Sequence, residues 1–153
     1  ALRYARKRST RSIAVTSNSA SPVARLAQIV ICPQTGREVI AGSTRMKAGT
    51  AQKLILNMLS TAAMIRLGHV YRNLMVNVAM TNRKLRGRGR RVLMWALGCD
   101  GAAAERLIRA ARGDLKVAIV MGRLGCGRQE ARHRLHHSHG LVYRALAAGG
   151  PRR

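Results

Sequence analysis

The sequence predicts an α/β fold in its first part, followed by a small all-helical part. Two short β-branched runs flank a short helical segment near the start, which is the order of a β-α-β unit. A long apolar helical pattern follows over residues 44–67. From residue 98 onward, short amphipathic patterns alternate with glycines, and these predict short helices without strands.

The first elements predict one right-handed β-α-β unit. Ser21 followed by Pro22 is typical of an N-cap with proline at the first helical position. Parallel strands are normally buried within sheets of several strands, so we expect further sheet to come from upstream sequence or from a partner. The predicted elements are a helix over residues 1–9, a strand over 12–16, a helix over 22–28 and a strand over 29–32.

The later elements are helical. Residues 44–67 carry apolar side chains on several faces, which predicts a long buried helix that ends in a turn at Gly68. Thr81 and Asn82 cap a further helix that reaches Leu97. Short helices are expected over residues 102–111, 115–124, 128–136 and 141–147. The predicted domains are residues 1–97 and 98–148, with a disordered tail over 149–153.

Composition restricts the class of protein. A chain of 153 residues with 47% hydrophobic content can bury a core, which excludes general disorder. The 29 Lys and Arg face only 5 Asp and Glu, giving a formal net charge of +24 that attracts polyanions. The excess is mostly arginine, and composition allows either selection for phosphate contact or a plain bias toward this residue type.

Membrane and secreted classes fit poorly. The longest nearly apolar stretch, residues 54–65, is interrupted by three polar residues and is shorter than the roughly 18 apolar residues of a membrane span. Cys32, Cys99 and Cys126 are odd in number and form no C-x-x-C pair, so we expect free thiols in a reducing, cytoplasmic compartment.

Residues 36–53, GREVIAGSTRMKAGTAQK, form the most informative segment. Gly42 permits an unusual turn, and Ser43 and Thr44 can cap the long helix, whose first N–H groups would then attract an anion. Arg45 and Lys47 in that first turn oppose the helix dipole. A bound phosphate or carboxylate would remove the conflict; equally, the two cations extend into water or pair with Glu38.

This segment resembles the signature shared by bacterial N-acetylmuramic acid 6-phosphate etherases and the glucokinase regulatory protein. The matching residues are Gly36, Glu38, Gly42, Ser43, Thr44, Arg45, Met46, Lys47 and Lys53. The surroundings at residues 15–18, 52–61, 64–68, 71, 73–76, 81–82 and 84–85 are similar to the etherases as well. The similarity extends from residue 1 to about residue 146.

The resemblance implies the C-terminal portion of a doubly wound sugar-isomerase (SIS) domain, followed by a small ubiquitin-associated (UBA)-like helical domain. It implies a homodimeric lyase of amino-sugar and peptidoglycan recycling that cleaves the lactyl ether of N-acetylmuramic acid 6-phosphate, giving N-acetylglucosamine 6-phosphate and lactate. In the family, two glutamates upstream of this portion act as acid and base. We therefore assign no catalytic residue, and we expect the chain alone to be inactive. Substrate contact or support of the pocket is assigned to Glu38, Ser43, Thr44, Arg45 and Lys47.

Two other segments invite functional interpretation. Residues 83–91, RKLRGRGRR, predict either a phosphate-binding patch or the solvated first turns of a helix, and we favour the second because no aromatic residues are interleaved. His133, His136, His137 and His139 have helical spacing, yet no carboxylate or cysteine completes a ligand set, so only adventitious metal affinity is expected.

Partners and alternatives follow from these features. We expect a sugar-phosphate substrate, no cofactor or metal, no specific nucleic acid and no membrane. The alternative functions are a sugar-phosphate-binding regulator of the glucokinase-regulator type and a basic nucleic-acid-binding protein, the latter supported by charge alone.

Overall fold

The computed structural model describes residues 1–147, and the tail predicted over residues 149–153 lies outside this range. The chain folds into two compact units, Ala1–Thr61 and Ala62–Arg153. The first combines helices with a small parallel sheet, and the second is mainly helical. An α/β-like mixture is therefore present, as the sequence predicts.

The predicted β-α-β unit is confirmed in the first unit. Its two strands pair in parallel, with Ile13 opposite Ile29 and Val15 opposite Ile31. The Ser21 hydroxyl accepts a hydrogen bond from the Ala24 N–H, which fixes the start of the connecting helix. The elements are α1 (Leu2–Lys7), β1 (Ile13–Val15), α2 (Pro22–Leu26) and β2 (Ile29–Ile31).

The long helix α3 spans Lys47–Arg66, so it begins three residues later than residue 44, the predicted start. The prediction that it is buried is wrong for this chain, because Ala48 is its one buried residue. Large apolar side chains remain exposed, including Leu56 at 56% and Met58 at 61%. The physical reason is that a sheet of two three-residue strands offers too little apolar surface to cover them. None of the helices among residues 1–147 is long and apolar enough to cross a membrane.

A short antiparallel hairpin after α3 was not predicted. Its strands are β3 (Val70–Tyr71) and β4 (Leu74–Met75), and Arg72 adopts a positive φ of 55° in the turn between them. Gly68 precedes the hairpin with φ of 73°, and a Cβ there would lie 2.7 Å from the Gly140 carbonyl oxygen. Only glycine therefore fits this predicted turn without displacement of the backbone that joins the last two helices.

The predicted helices of the second unit are all confirmed, with ends shifted by at most two residues. Asn82, Asp100 and Asp114 cap three of them through side-chain oxygens. Left-handed Gly98 and Gly125 end two of them. The helices are α4 (Arg83–Leu97), α5 (Gly101–Ala110), α6 (Leu115–Leu124), α7 (Arg128–His137) and α8 (Val142–Ala147).

The core of the second unit lies around α6. Ile119 and Val120 on this helix are completely buried, and Leu93 of α4 packs into the same cluster. The helix α4 therefore belongs to the second unit, where it packs against α5 and α6. These units are defined by packing, whereas the predicted domains are defined by family resemblance. The predicted domain boundary at residues 97/98 is therefore not tested by the units and stays a prediction.

Candidate functional site

The loop before α3 carries the five residues proposed from the sequence. Gly42 adopts a φ of 83°, in the left-handed region that glycine tolerates. The Ser43 N–H donates a hydrogen bond to the Ile40 carbonyl oxygen at 3.0 Å. This hydrogen bond and the turn at Gly42 fold the loop back on itself. The loop therefore brings residues that precede α3 by about ten positions to the first turn of the helix.

Glu38 occupies the N-terminus of α3. Its Oε2 accepts a hydrogen bond from the Lys47 N–H at 3.1 Å, and its Oε1 accepts one from the Ala48 N–H at 3.0 Å. The Ala48 N–H first, and the Lys47 N–H second, hold the pKa of this carboxyl below its usual value. The expectation that Ser43 and Thr44 cap the helix is wrong: within residues 1–147, neither hydroxyl has a hydrogen-bond partner. A carboxylate carries a full charge and two acceptor oxygens, so it satisfies the helix end better than a hydroxyl does.

The charge conflict at the helix start is therefore relieved inside the chain. Lys47 is the first residue of α3, whereas Arg45 lies in the preceding turn. The Lys47 Nζ donates to the Arg37 carbonyl oxygen at 2.8 Å, and its charge also helps to lower the pKa of the Glu38 carboxyl. Glu38 therefore supplies an anion at the backbone N–H groups of the helix start, and binding of a phosphate or carboxylate by Arg45 and Lys47 stays a prediction.

Two cavities flank this helix start in the first unit. One, of about 350 Å³, is lined mainly by residues with polar side chains, among them Thr44, Gln52 and the chain after β1. The other, of about 410 Å³, is more apolar and is lined by Ser43 and Arg45 with the side chains of Val39, Ile40 and Met46. The proposed residues are therefore separated: Thr44 faces one cavity, Ser43 and Arg45 the other, and Glu38 supports the helix beside them.

The predictions from sequence missed Thr16, Ser17, Asn18 and Gln52 as lining residues. Thr16–Asn18 directly follow β1, and ligands of α/β proteins commonly bind at the carboxyl ends of strands. The Asn18 N–H donates to the Thr16 Oγ1 at 3.2 Å, and the Asn18 Oδ1 accepts from the Ala20 N–H at 3.0 Å. The signal that could have identified them is the polar run Thr-Ser-Asn immediately after a strand.

All five acidic residues of the chain have local structural roles. Glu38, Asp100 and Asp114 each accept hydrogen bonds from N–H groups at a helix start. Glu105 and Glu130 lie one helical turn before arginines, at 4.0 Å and 2.7 Å from Arg109 and Arg134 respectively. General acid and base catalysis needs two carboxyls with separated pKa values at one site, and no such pair exists among residues 1–147.

Replacing Glu38 by glutamine is expected to loosen the start of α3, since an amide offers one acceptor oxygen where the carboxylate offers two. Amide exchange at Lys47 and Ala48 should accelerate by about tenfold near neutral pH. The folded-state pKa of Glu38 is lowered, so its stabilisation is present above the unfolded value of about 4.3 and is lost as the pH falls through the folded value. The melting temperatures of wild type and variant should therefore converge at low pH.

The control is Glu105→Gln, which changes a half-buried carboxylate on α5 that caps no helix. The capping role would be contradicted if wild type and Glu38→Gln differed in melting temperature by the same amount from pH 7 to below the pKa of a carboxyl.

The basic segment over residues 83–91 forms the first turns of α4, where its six charged side chains are exposed. The interpretation as solvated helix turns is thus confirmed in its placement. The structure adds that Trp95, which the sequence places on an apolar stretch, is 66% exposed. It follows Arg88 and Arg91 by seven and four residues, so the three share one face of the helix.

Nucleic-acid binding, where it occurs, is expected to be electrostatic and independent of sequence. Two unrelated oligonucleotides titrated across a salt series should give equal affinities that fall steeply with salt. Arg88→Ala and Arg91→Ala should each lower by about one the slope of log affinity against log salt concentration. Trp95→Ala removes only stacking. A preference of about 100-fold for one oligonucleotide at physiological salt would contradict this prediction.

The histidines of α7 form a pair rather than a metal cage. His133 and His137 approach with their Nε2 atoms 3.0 Å apart. Across the described range, no group of three or more His, Cys, Asp or Glu side chains is placed to hold a metal ion. The two imidazoles alone fall short of the three protein ligands of a catalytic zinc site.

Comparison with known proteins identifies clear relatives, although no family model matches the chain. N-acetylmuramic acid 6-phosphate etherase 2 of Vibrio cholerae is 47% identical over 146 residues, which cover 95% of this chain and 48% of the relative. The etherase of Geobacillus sp. is 46% identical over 145 residues, with 95% and 49% covered. The etherase of Yersinia pestis (strain Pestoides F) is 48% identical over 146 residues, with 95% and 50% covered.

The chain spans about half the length of these curated relatives, which agrees with the C-terminal portion predicted from the sequence. Identity of this level over nearly the whole chain establishes common ancestry and extends the match far beyond the signature loop. The chain is homologous to about half of each of these N-acetylmuramic acid 6-phosphate etherases.

Proposed function

We propose that this chain is the C-terminal portion of a lyase that cleaves the lactyl ether of N-acetylmuramic acid 6-phosphate. The observation that carries the proposal is the 46–48% identity to proteins named for this activity over 95% of the chain. The etherase names favour an enzyme over the sugar-phosphate-binding regulator. The reaction removes the C2 proton of the sugar, expels lactate from C3 and then adds water, giving N-acetylglucosamine 6-phosphate.

In this proposal the chain binds and positions rather than transfers protons. Arg45 lies exposed beside Ser43 at one cavity, where a guanidinium and a hydroxyl suit a phosphate or carboxylate group. Thr44 supplies a hydroxyl to the other cavity. Glu38 and Lys47 hold the loop against α3 through the Ala48 N–H and the Arg37 carbonyl oxygen, so they are positioning residues.

The proposed architecture is the last part of an SIS domain over residues 1–97 and a UBA-like domain over 98–148. The parallel pair of β1 and β2 supports the first assignment, and the packing of α5–α8 around α6 supports the second. We further propose a homodimer, since α3 carries an exposed apolar surface that an interface would bury.

A chimera tests the proposed function. The aligned portion of the Vibrio cholerae relative is replaced by this chain, and release of lactate from N-acetylmuramic acid 6-phosphate is measured. We expect an active chimera, because this chain then contributes binding groups equivalent to those of the portion that it replaces. Arg45→Ala in the chimera should lower kcat/KM by about tenfold or more through loss of a charge-assisted hydrogen bond.

The matched control is Arg25→Ala, an exposed arginine on α2 that contacts the Ala20 carbonyl oxygen and lines neither cavity. It should leave kcat/KM near that of the parent chimera. A folded chimera without activity would overturn the proposed function, and equal losses in the two arginine variants would overturn the role of Arg45.

A further inference from the structure

The largest cavity described is a cleft in the second unit, remote in sequence from the signature loop. Its volume is about 840 Å³, within the range of small-molecule sites. Its walls come from the chain after β4, the turn between α5 and α6, and the end of α7. None of the five residues proposed for the sugar-phosphate site lines it.

The cleft is strongly cationic. Its charged lining consists of one carboxylate and, against it, Arg112, Lys116 and Arg132, and the imidazoles of His136 and His139 lie beside them. The carboxylate is Asp114, whose Oδ1 already accepts hydrogen bonds from the Lys116 and Val117 N–H groups at 3.0 and 3.1 Å. The two ion pairs found within residues 1–147 lie elsewhere, on Arg109 and Arg134. The cleft cations therefore have no carboxylate partner in the part of the chain described.

The floor of the same cleft is apolar. Val76, Leu115 and Val117 lie beneath it and are already packed to 2% exposure, so the apolar side chains that a ligand can reach are the half-buried Val78 and the exposed Ala79. A bare inorganic anion would contact the cationic rim and leave this floor unused. The lining therefore suits a ligand with an anionic group and an apolar or ring-shaped body, which would bury apolar surface as it binds.

The backbone beside the cleft adopts uncommon conformations. Arg112 and His139 have φ of 54° and 51°, and each is followed by a glycine with positive φ, Gly113 and Gly140. Non-glycine residues in the left-handed region cost free energy and cluster at functional sites. These conformations hold a guanidinium and an imidazole at the ends of α5 and α7, on the wall of one cleft.

We propose that this cleft is a second binding site, for an organic phosphate monoester whose phosphate contacts Arg112, Lys116 and Arg132 and whose organic part lies against Val78 and Ala79. Guanidinium groups bind phosphate oxygens in bidentate fashion, and the lysine adds a point charge. The Lys116 Nζ is held near this position by a contact of 3.4 Å to the Gly140 carbonyl oxygen. The site does not depend on the proposed lyase function.

The test is titration of the full chain with phenyl phosphate, inorganic phosphate and phenyl glucoside, followed by heteronuclear NMR. We expect phenyl phosphate to bind most tightly and to shift amide signals of residues 76–79, 112–117 and 132–140. Arg132→Ala and Arg112→Ala should each weaken this binding by about tenfold or more. Spectral dispersion of each variant reports whether it is folded.

The matched control is Arg106→Ala, which removes the same charge from an exposed position of α5 outside the cleft. Equal weakening by Arg106→Ala and Arg132→Ala would show general attraction to a basic protein and would overturn the proposal. Inorganic phosphate binding as tightly as phenyl phosphate would overturn the part assigned to the organic group. Because the readout is binding to the second unit, failure here leaves the chimera result unaffected.

Discussion

Purified chain mixed with N-acetylmuramic acid 6-phosphate is expected to release no lactate above the uncatalysed background. The elimination needs one group that accepts the C2 proton and another that protonates the departing oxygen, and each contributes about 10²–10⁴-fold. Among the five acidic residues, only Glu38 belongs to the first unit, and both of its oxygens are occupied by N–H groups of α3. Its lowered pKa also makes it a poor proton donor near neutral pH.

The measurement is an enzymatic lactate assay with the Vibrio cholerae relative as positive control. Catalysed lactate release that Glu38→Gln abolishes, and that Glu105→Gln leaves intact, would contradict the prediction. That result would make Glu38 a catalytic residue rather than a helix cap.

The second large effect concerns α3, through which the chain is expected to self-associate. Leu54, Leu56, Met58 and Ile65 are each more than half exposed on this helix, and apolar side chains lie on several of its faces. Exposed apolar surface of this kind marks an interface or an aggregation site. The net charge of +24 opposes association, so added salt should strengthen it by screening.

Static light scattering across a salt series measures this association. Leu56→Glu and Met58→Glu place a charge on the exposed surface and should each raise the dissociation constant by about tenfold or more. Tyr143→Glu changes a side chain that is equally exposed but lies on α8, and should have little effect. A monodisperse monomer with strongly protected amides over residues 54–65 would show that the chain covers α3 by itself.

Nucleic-acid binding and self-association respond to salt in opposite directions, which separates them in one sample. Nucleic-acid binding through α4 weakens as salt rises, because the release of counterions from the phosphates is then less favourable. Association through α3 strengthens, because repulsion between basic chains is screened while the hydrophobic contribution persists.

Local signals in the sequence predict the order and type of nearly all elements. Ser21, Asn82, Asp100 and Asp114 cap helices through N–H groups three residues away, so the signal and its structural consequence lie within one turn. The hairpin of β3 and β4 escaped prediction because two-residue strands are too short to show a periodic pattern.

Two features of the candidate sites depend on distant residues and emerge only in the folded chain. Glu38 reaches the start of α3 because the intervening loop turns at Gly42, and sequence spacing could not choose between a carboxylate and a hydroxyl as the cap. The cleft of the second unit is lined by residues from three separate segments, so no local sequence motif predicts it.

The exposure of α3 is a third feature of this kind. Its apolar pattern indicates a surface that requires burial, because periodicity reports which side chains are apolar. Whether that surface is covered depends on how much sheet and how many helices pack against it, and two strands of three residues do not suffice. The sequence by itself determines local hydrogen bonds and the periodicity of apolar side chains. The burial of a helix depends on the other elements that pack around it.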